Sequence, residues 1–253
     1  MIYLGYSPAG SSRITKKSGV AILRYEAGSV QFDVGYVSCV DAAMKWFSER
    51  LGRDEPASIG IDCPLYWETG KGGWRAADLW LRANYGNAKR LIISSNFTPG
   101  ALLVQGIALG TMLRQAWPAI QLVETCPRLL YYAMVNTIPN WDAAAVEWAE
   151  AKIGLPSGST ISSQSEWSAL VSAWVGRMGH SQTWRQDLRQ RSHFAVEPAG
   201  PVSYWWPGAD SKDRRRRYHW TRRYLQGKAA AARAMSSPAR AMTGMPGSPG
   251  VPV

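Results

Sequence analysis

Two short stretches of similar design place the strongest constraint on the fold. Residues 57–65 read ASIGIDCPL, and residues 119–127 read AIQLVETCP. Each is an apolar run that ends in one carboxylate, Asp62 or Glu124, with a proline within three residues. A short continuous apolar run is typical of a buried strand, and proline cannot continue a sheet ladder. The pattern therefore predicts two parallel strands with both acids at their carboxyl ends, where open α/β sheets bind ligands.

The predicted elements around these two strands give an order. Residues 2–6 predict a first strand, and residues 19–25 and 29–36 predict two more, separated by a short turn that favours an antiparallel meander. Helical apolar spacing predicts a helix over residues 40–51. The predicted order is three antiparallel strands, a helix, one strand that ends in an acid, further helices and a second such strand. This is the order of a ribonuclease-H-like fold. The predicted fold class is therefore α/β, with a mixed sheet (strands one to three antiparallel, four and five parallel) and flanking helices.

Further helices follow from apolar spacing and from turn residues. Thr98, which precedes a proline, has the character of a helix N-cap. Trp141 and Trp148 are seven residues apart, a spacing that places both on one helix face, and core or interface packing explains it most simply. Trp167 and Trp174 have the same spacing. Helices are predicted over residues 74–85, 98–117, 128–135, 141–153 and 162–178, the fourth within a helical insertion at about residues 138–155.

The charge of the chain is concentrated near its C-terminus. The whole sequence has a formal net charge of +11. Residues 212–240 hold ten lysines and arginines and one acid, a net +9, which leaves +2 for the rest. The sequence predicts one domain over residues 1–207, a basic aromatic extension over 208–228, and a disordered tail over 229–253 that is rich in small residues and proline.

The composition indicates a globular protein with a substantial core. Of the 253 residues, 46% are hydrophobic and 13 are tryptophan, which argues against a disordered chain. No apolar run approaches the roughly 20 residues of a membrane span, and the first residues lack the pattern of a signal peptide. The three cysteines form no CxxC motif, which argues against a disulfide framework. We expect a cytoplasmic protein with no membrane partner.

Five motifs make the chain similar to a known family. They are GYSPAG from residue 5, IGIDCPL from residue 59, TPGALLVQGIALG from residue 98, LVETCPRLLY from residue 122 and SALVSAW from residue 168. Together with Arg75 and Asp78 they resemble the family known as domain of unknown function 429, over about residues 1–180. The resemblance implies a ribonuclease-H-like fold and the activity of a metal-dependent nuclease.

The resemblance also indicates which residues would form the active site. Nucleases of this fold hold two metal ions with three or four carboxylates. Asp62 and Glu124 match two of those acids, both as catalytic residues and as metal ligands. Ser7 and Ser168 stand where relatives of the family have the other acids. Both differences exchange an anion for a neutral hydroxyl, so the site would have lost two negative charges.

Two further acids are candidates to support the site. Glu166 lies two residues before Ser168, although two residues along a helix turn a side chain by about 200°. Asp78 lies on a helix that the resemblance places beside the site. Two carboxylates at neighbouring strand ends supply the hard oxygen ligands of Mg²⁺ or Mn²⁺, and two could hold one ion together with water and substrate phosphates. The alternative is that each acid only caps the turn after its strand.

The basic extension is a second functional candidate. Residues 214–224, RRRRYHWTRRY, interleave six arginines with aromatic side chains. Arginine binds phosphate through paired hydrogen bonds, and aromatic faces stack on bases. Without a base-reading motif, nucleic acid would be bound independently of sequence. A solvated helix or an acidic protein partner are the alternatives. The candidate nucleic-acid-binding residues are Arg214, Arg215, Arg216, Arg217, Trp220, Arg222 and Arg223.

Three functions stay open on the sequence alone. The first is a metal-dependent nuclease that hydrolyses phosphodiesters at Asp62 and Glu124, with an activity that the two serines impair. The second is a nucleic-acid-binding domain of the same fold that has lost catalysis. The third is a protein-interaction scaffold that uses the tryptophan-rich helices.

Overall fold

The structure, a computed structural model, describes residues 1–9, 17–26, 28–68 and 73–208. The chain divides into two units, Met1–Ala209 and Asp210–Val253. From residue 209 onward, the predicted basic aromatic extension and the predicted tail lie outside the described residues. The structure therefore bears only on the first unit.

A six-stranded mixed sheet forms the centre of this unit. Its strand order is β3-β2-β1-β4-β6-β9, in which β1, β2 and β3 are antiparallel neighbours and β1, β4, β6 and β9 run parallel. This arrangement confirms the predicted mixed sheet with parallel acidic strands. The strands of the described chain are β1 (Ile2–Ser7), β2 (Ser18–Glu26), β3 (Ser29–Val37), β4 (Ser58–Ile61), β5 (Trp67–Glu68), β6 (Gln121–Glu124), β7 (Gln186–Asp187), β8 (Ala195–Val196), β9 (Val202–Ser203) and β10 (Trp205–Trp206).

Six α-helices flank the sheet in the described residues, and the first has the predicted bounds. They are α1 (Val40–Leu51), α2 (Ala76–Asn84), α3 (Gly100–Ala116), α4 (Pro127–Val135), α5 (Ala143–Ile153) and α6 (Gln164–His180). The predicted Thr98 cap is wrong. Pro99 precedes α3 without a side-chain cap, because the Thr98 hydroxyl donates to the Ser94 carbonyl at 3.0 Å. Among the helices of the described chain, none is long and apolar enough to cross a membrane.

One face of the sheet packs against α1 and α3 through aliphatic and aromatic side chains. Phe47 of α1 and Leu109 and Leu113 of α3 are fully buried there. They meet Leu4 of β1 and Ile61 of β4, which are also fully buried. This cluster is the main hydrophobic core, and it fixes the position of the strand that precedes Asp62.

The other face packs against α6 at unusually short range. Gly5, Gly19 and Gly60 lie on the neighbouring strands β1, β2 and β4, directly beneath the α6 backbone at Ala169, Ser165 and Ser172. A Cβ atom at any of these glycines would collide with that backbone. The absence of three side chains therefore lets α6 rest on the sheet, which brings Ser168 to the strand ends.

The tryptophans of α5 and α6 belong to a buried aromatic cluster. Trp148, Trp167 and Trp174 are each at most 3% exposed, and the Trp148 ring lies 6.1 Å from that of Trp167 and 6.0 Å from that of Trp174. Trp167 also donates to the Ala145 carbonyl at 2.9 Å. Trp141 precedes α5 and is 38% exposed, so it does not share a helix face with Trp148 as its spacing predicts. The buried indoles hold α5 against α6.

Candidate functional site

The carboxyl ends of three neighbouring strands meet at one edge of the sheet. Ser7 is the last residue of β1, Asp62 directly follows β4, and Glu124 is the last residue of β6. Parallel pairing continues past the strand ends, because the Asp62 amide donates to the Tyr6 carbonyl at 2.9 Å. On the other side, Glu124 pairs with Ile61, the neighbour of Asp62. The sequence-predicted residues are therefore brought to the same edge.

Asp62 is hydrogen-bonded to two serines, Ser7 and Ser168. The Ser7 hydroxyl donates to Asp62 Oδ2 at 3.2 Å, and the Ser168 side chain is also hydrogen-bonded to Asp62. Both serines are buried, whereas Asp62 is partly exposed. Burial raises the pKa of Asp62 to about 6, and the two hydroxyls and the charge of Arg128 oppose this shift. The Asp62 carboxyl group is therefore less acidic than that of an ordinary aspartate.

Glu124 has a different environment, because it is one of two acids bound by a buried arginine. The Arg75 guanidinium donates to Glu124 Oε1 and Oε2 at 2.7 Å each. It also donates to Asp78 Oδ1 and Oδ2 at 2.8 and 2.9 Å, and to the Tyr66 carbonyl at 3.3 Å. A guanidinium has five N–H donors, so Arg75 is saturated. The backbone amide of Leu65 completes the shell of Glu124 at 2.8 Å.

Asp78, Arg75 and Glu124 form a buried triad of two carboxylates and one guanidinium. All three side chains are at most 3% exposed. Burial raises the pKa of Glu124, while the charge and the hydrogen bonds of Arg75 lower it. Burial lowers the pKa of Arg75, but both carboxylates outweigh this effect and raise it well above its usual value. A metal ion at Glu124 would therefore meet a fixed guanidinium that binds the same two oxygens.

Glu166 forms hydrogen bonds at the start of α6. Its carboxylate accepts hydrogen bonds from the Ser162 amide and hydroxyl at 2.8 and 2.7 Å. Its own amide donates to the hydroxyl of the N-cap residue Ser163 at 3.2 Å. This arrangement resembles a capping box, except that the carboxylate accepts from the residue before the N-cap, and it satisfies amides at the helix start. The structure thus gives Glu166 a helix-capping role.

The residues present do not supply the ligands of a two-metal centre, and the predicted metal ligand Glu124 is already bound by Arg75. A two-metal centre needs several carboxylates with free lone pairs around both ions. Here Glu124 and Asp78 are bound by Arg75, Glu166 caps a helix, and Asp62 is accompanied by two neutral serines. Among the residues that the structure describes, no group of three or more His, Cys, Asp or Glu is arranged to hold a metal ion.

A cavity of about 150 Å³ opens beside Asp62 and the triad. Its polar lining includes Asp62, Arg75, Asp78 and Glu124. The remaining walls are largely apolar, and they include Leu81, Ile92, Ile93, Leu102 and Leu129. Ligand-binding sites commonly combine apolar walls with a few polar groups, and this cavity has that composition.

Further hydroxyl groups lie near the end of β6, the strand next to the one that precedes Asp62. Thr125, which follows β6, and Ser172 of α6 are joined by a hydrogen bond of 2.7 Å between their hydroxyls. Arg128, at the start of α4, is exposed, and it is close enough to lower the pKa of Asp62. The site therefore presents one titratable carboxylate, buried hydroxyls and one exposed guanidinium.

The role of Arg75 is the main feature that the sequence interpretation missed. Its three-residue spacing from Asp78 is a typical helical pairing distance. An acid at the end of a buried strand also needs a counter-charge or donors. These two signals together point to an arginine between the two acids, although no spacing indicates a partner 49 residues away.

Comparisons with known proteins add little to this geometry. No family model matches the chain, and no curated protein matches it in sequence. A solved structure, the Thermus thermophilus RuvC structure, is similar to it with 15% sequence identity and a TM-score of 0.37. The match covers 71% of this chain and 98% of that chain.

Proposed function

We propose that the chain is a nucleic-acid-binding domain of ribonuclease-H-like fold whose nuclease centre has lost its metal-binding carboxylates. The observation that carries this proposal is the engagement of Glu124 by Arg75 next to a solitary Asp62. Ser7 and Ser168, which replace acids of the resembling family, are hydrogen-bonded to Asp62 and add no negative charge.

Two features support the fold and the family resemblance behind this proposal. The strand order β3-β2-β1-β4-β6, with α1 between β3 and β4, is the ribonuclease-H-like order. The motifs that resemble domain of unknown function 429 include Ser7, Asp62, Glu124 and Ser168, which lie at or pack onto one edge of the sheet.

The sequence supplies the argument for nucleic acid as the partner. The basic segment over residues 212–240 carries +9 of the net +11 charge, and arginine and aromatic side chains alternate in it. Phosphate contacts by such residues give affinity without sequence preference. Arg128 adds an exposed cation at the candidate site itself.

The interaction-scaffold alternative has less support. It relies on the tryptophans of the helices, but Trp148, Trp167 and Trp174 are buried against one another. An indole inside the core offers no surface to a partner.

One experiment tests the proposal against the nuclease alternative. Fluorescence anisotropy would measure binding of the intact chain to labelled single-stranded DNA, RNA and duplex at stepped KCl concentrations. The same substrates would be incubated with Mg²⁺ or Mn²⁺ and examined for cleavage. We expect salt-dependent binding and no cleavage above a protein-free control. Metal-dependent cleavage that disappears in Asp62→Asn would establish the nuclease instead, and an absence of binding would overturn the proposal.

A further inference from the structure

Exposed apolar side chains of the described chain are concentrated in one segment. In the described chain nine large hydrophobic residues are exposed, and four of them lie between residues 79 and 104. Phe97 is 71% exposed and Ile93 is 49% exposed. An exposed apolar patch of this kind marks an interaction site more often than an isolated residue does.

Aromatic and arginine side chains join these residues into one surface. The Phe97 and Trp74 rings lie 6.4 Å apart, and the Arg82 guanidinium lies 4.5 Å from the centre of the Trp74 ring. Arg82 also donates to the Ile92 carbonyl at 3.5 Å, next to Ile93. We call Trp74, Arg82, Ile93 and Phe97 the aromatic–arginine surface.

The charge of this segment favours an anionic partner. From residue 73 to residue 117 the only acid is Asp78, which is buried and bound to Arg75. Lys89 and Arg90 are exposed, and they follow Arg82 on the same stretch of chain. Within the described residues, none of Arg82, Lys89 and Arg90 takes part in an ion pair. Among the described residues these three cations are therefore available to an anionic ligand.

The surface continues to the cavity beside Asp62. Ile93 lines the cavity while about half of it is exposed, and Thr98, which follows Phe97, also lines it. A ligand on the aromatic–arginine surface would therefore lie next to the mouth of the cavity.

We infer that the aromatic–arginine surface binds single-stranded nucleic acid, with an unpaired base stacked on Phe97 and phosphates bound by Arg82, Lys89 and Arg90. Every base has a π-face, so stacking on aromatic side chains tolerates any sequence. In a duplex the bases already stack on each other and their faces are inaccessible. This inference rests on the proposed function and specifies its substrate class as single strands.

The test compares two exposed phenylalanines in the intact chain. Phe97→Ala removes the stacking ring, and Phe194→Ala removes a ring that is 80% exposed outside this surface. Anisotropy would measure binding to labelled twelve-residue polythymidine and to a duplex of equal length. We expect Phe97→Ala to weaken single-strand binding by about 5- to 100-fold, the usual effect of one lost stacking contact. Duplex binding should be unchanged, Phe194→Ala should resemble the intact protein, and Phe97→Trp should retain affinity.

Charge provides a second measurement. Replacing Arg82 by Gln should lower the slope of log affinity against log salt by about 0.7, as expected for one phosphate contact to a single strand.

Sedimentation of the unbound proteins shows whether the surface is instead a contact between two copies of the chain.

The outcomes separate this inference from the proposed function. If the intact chain binds nucleic acid but Phe97→Ala binds single strands equally well, the surface is not the binding site and the proposed function stands. If the intact chain binds no nucleic acid, both are overturned. A dimer that Phe97→Ala converts to a monomer, without a change in single-strand affinity, would assign the surface to self-association.

Discussion

The guanidinium of Arg75 binds both carboxylate oxygens of Glu124, each at 2.7 Å, and both side chains are at most 3% exposed. Glu124 occupies the end of a central parallel strand, where a metal-binding nuclease would need a free carboxylate. The same guanidinium binds Asp78 of α2, so one residue connects the strand edge to a helix. The site is therefore organised around a fixed cation, with Asp62 as the carboxylate outside the ion pairs.

The first prediction concerns the stability of this triad. Replacing Arg75 by Ala leaves two carboxylates buried without a counter-charge, so the free energy of unfolding should fall by about 3–5 kcal/mol. Arg90→Ala, at an exposed arginine, should change it by less than about 0.5 kcal/mol. Urea denaturation at pH 7 measures both. A loss below 1 kcal/mol for Arg75→Ala would contradict the buried triad.

The second prediction follows from the raised pKa of Asp62, about 6 in the folded protein compared with an ordinary value of 3.8. Between these values the folded state binds more protons than the unfolded state, so stability falls as pH rises from about 4 to about 6. Above pH 6 the charged Asp62 costs at most about 3 kcal/mol.

Asp62→Asn removes this titration and keeps the shape of the side chain. The variant should therefore gain stability relative to the intact protein as pH rises from 4 to 7.5, by up to about 3 kcal/mol. Chemical denaturation across this range measures the difference. A difference that does not vary with pH would show that Asp62 is already ionised at pH 4.

The third prediction concerns divalent metal. Because Asp62 has two neutral serine neighbours, millimolar Mg²⁺ or Mn²⁺ should leave the melting temperature unchanged relative to NaCl of equal ionic strength. The double variant Ser7→Asp, Ser168→Asp places three carboxylates together, and their repulsion should destabilise the protein without metal. Mn²⁺ should then raise its melting temperature, since a ligand that binds the folded state stabilises it.

The control for this prediction is the double variant Ser7→Ala, Ser168→Ala, which removes the same hydroxyls without adding charge. It should show no response to Mn²⁺. A clear metal-dependent rise in the melting temperature of the intact protein would contradict this prediction and would support Asp62 as a metal ligand.

The sheet and the strand-end acids could be predicted because local patterns determine them. The α1 boundaries follow from apolar spacing, and the two acidic strands follow from a buried run closed by proline. The role of Glu166 was also readable, since Ser163 three residues earlier forms the serine–glutamate pattern of a capping box. The sequence interpretation instead considered Glu166 only as a replacement acid.

The partners of Arg75 and the close packing of α6 could not be predicted in the same way. Arg75 and Glu124 are 49 residues apart, so their contact depends on how α2 packs near the sheet edge. Gly60 appears in the sequence as one small residue inside a strand, and only the folded chain places it beneath Ser172. Both features depend on tertiary packing and have no local periodicity.

The fourth prediction tests that packing. Gly60→Ala inserts a methyl group against the α6 backbone, and overpacking of this kind should cost at least about 1–3 kcal/mol. It should also displace Ser168 from Asp62. Gly86→Ala is the matched control, because a Cβ at Gly86 meets no atom within 4 Å and should change stability by less than about 0.5 kcal/mol. Equal stability of both variants would contradict the close approach of α6.

The fifth prediction concerns the basic segment of the sequence. Removing residues 212–253 takes away a net charge of +9 and leaves +2. If these arginines bind phosphates, the truncated protein should lose most of its affinity for nucleic acid. The slope of log affinity against log salt should become shallower by about 0.7 for each lost phosphate contact to a single strand. Anisotropy titrations at several salt concentrations measure both quantities.

The matched control replaces the four consecutive arginines from Arg214 to Arg217 with glutamine in the full-length chain. This variant keeps the length and the aromatic residues and removes four charges. If charge is responsible, its affinity and salt slope should lie between those of the intact and truncated proteins. If the truncated protein binds as tightly as the intact one, the segment does not contact nucleic acid. If the glutamine variant binds as the intact protein does while the truncated one does not, the aromatic residues or the remaining cations of the segment are responsible.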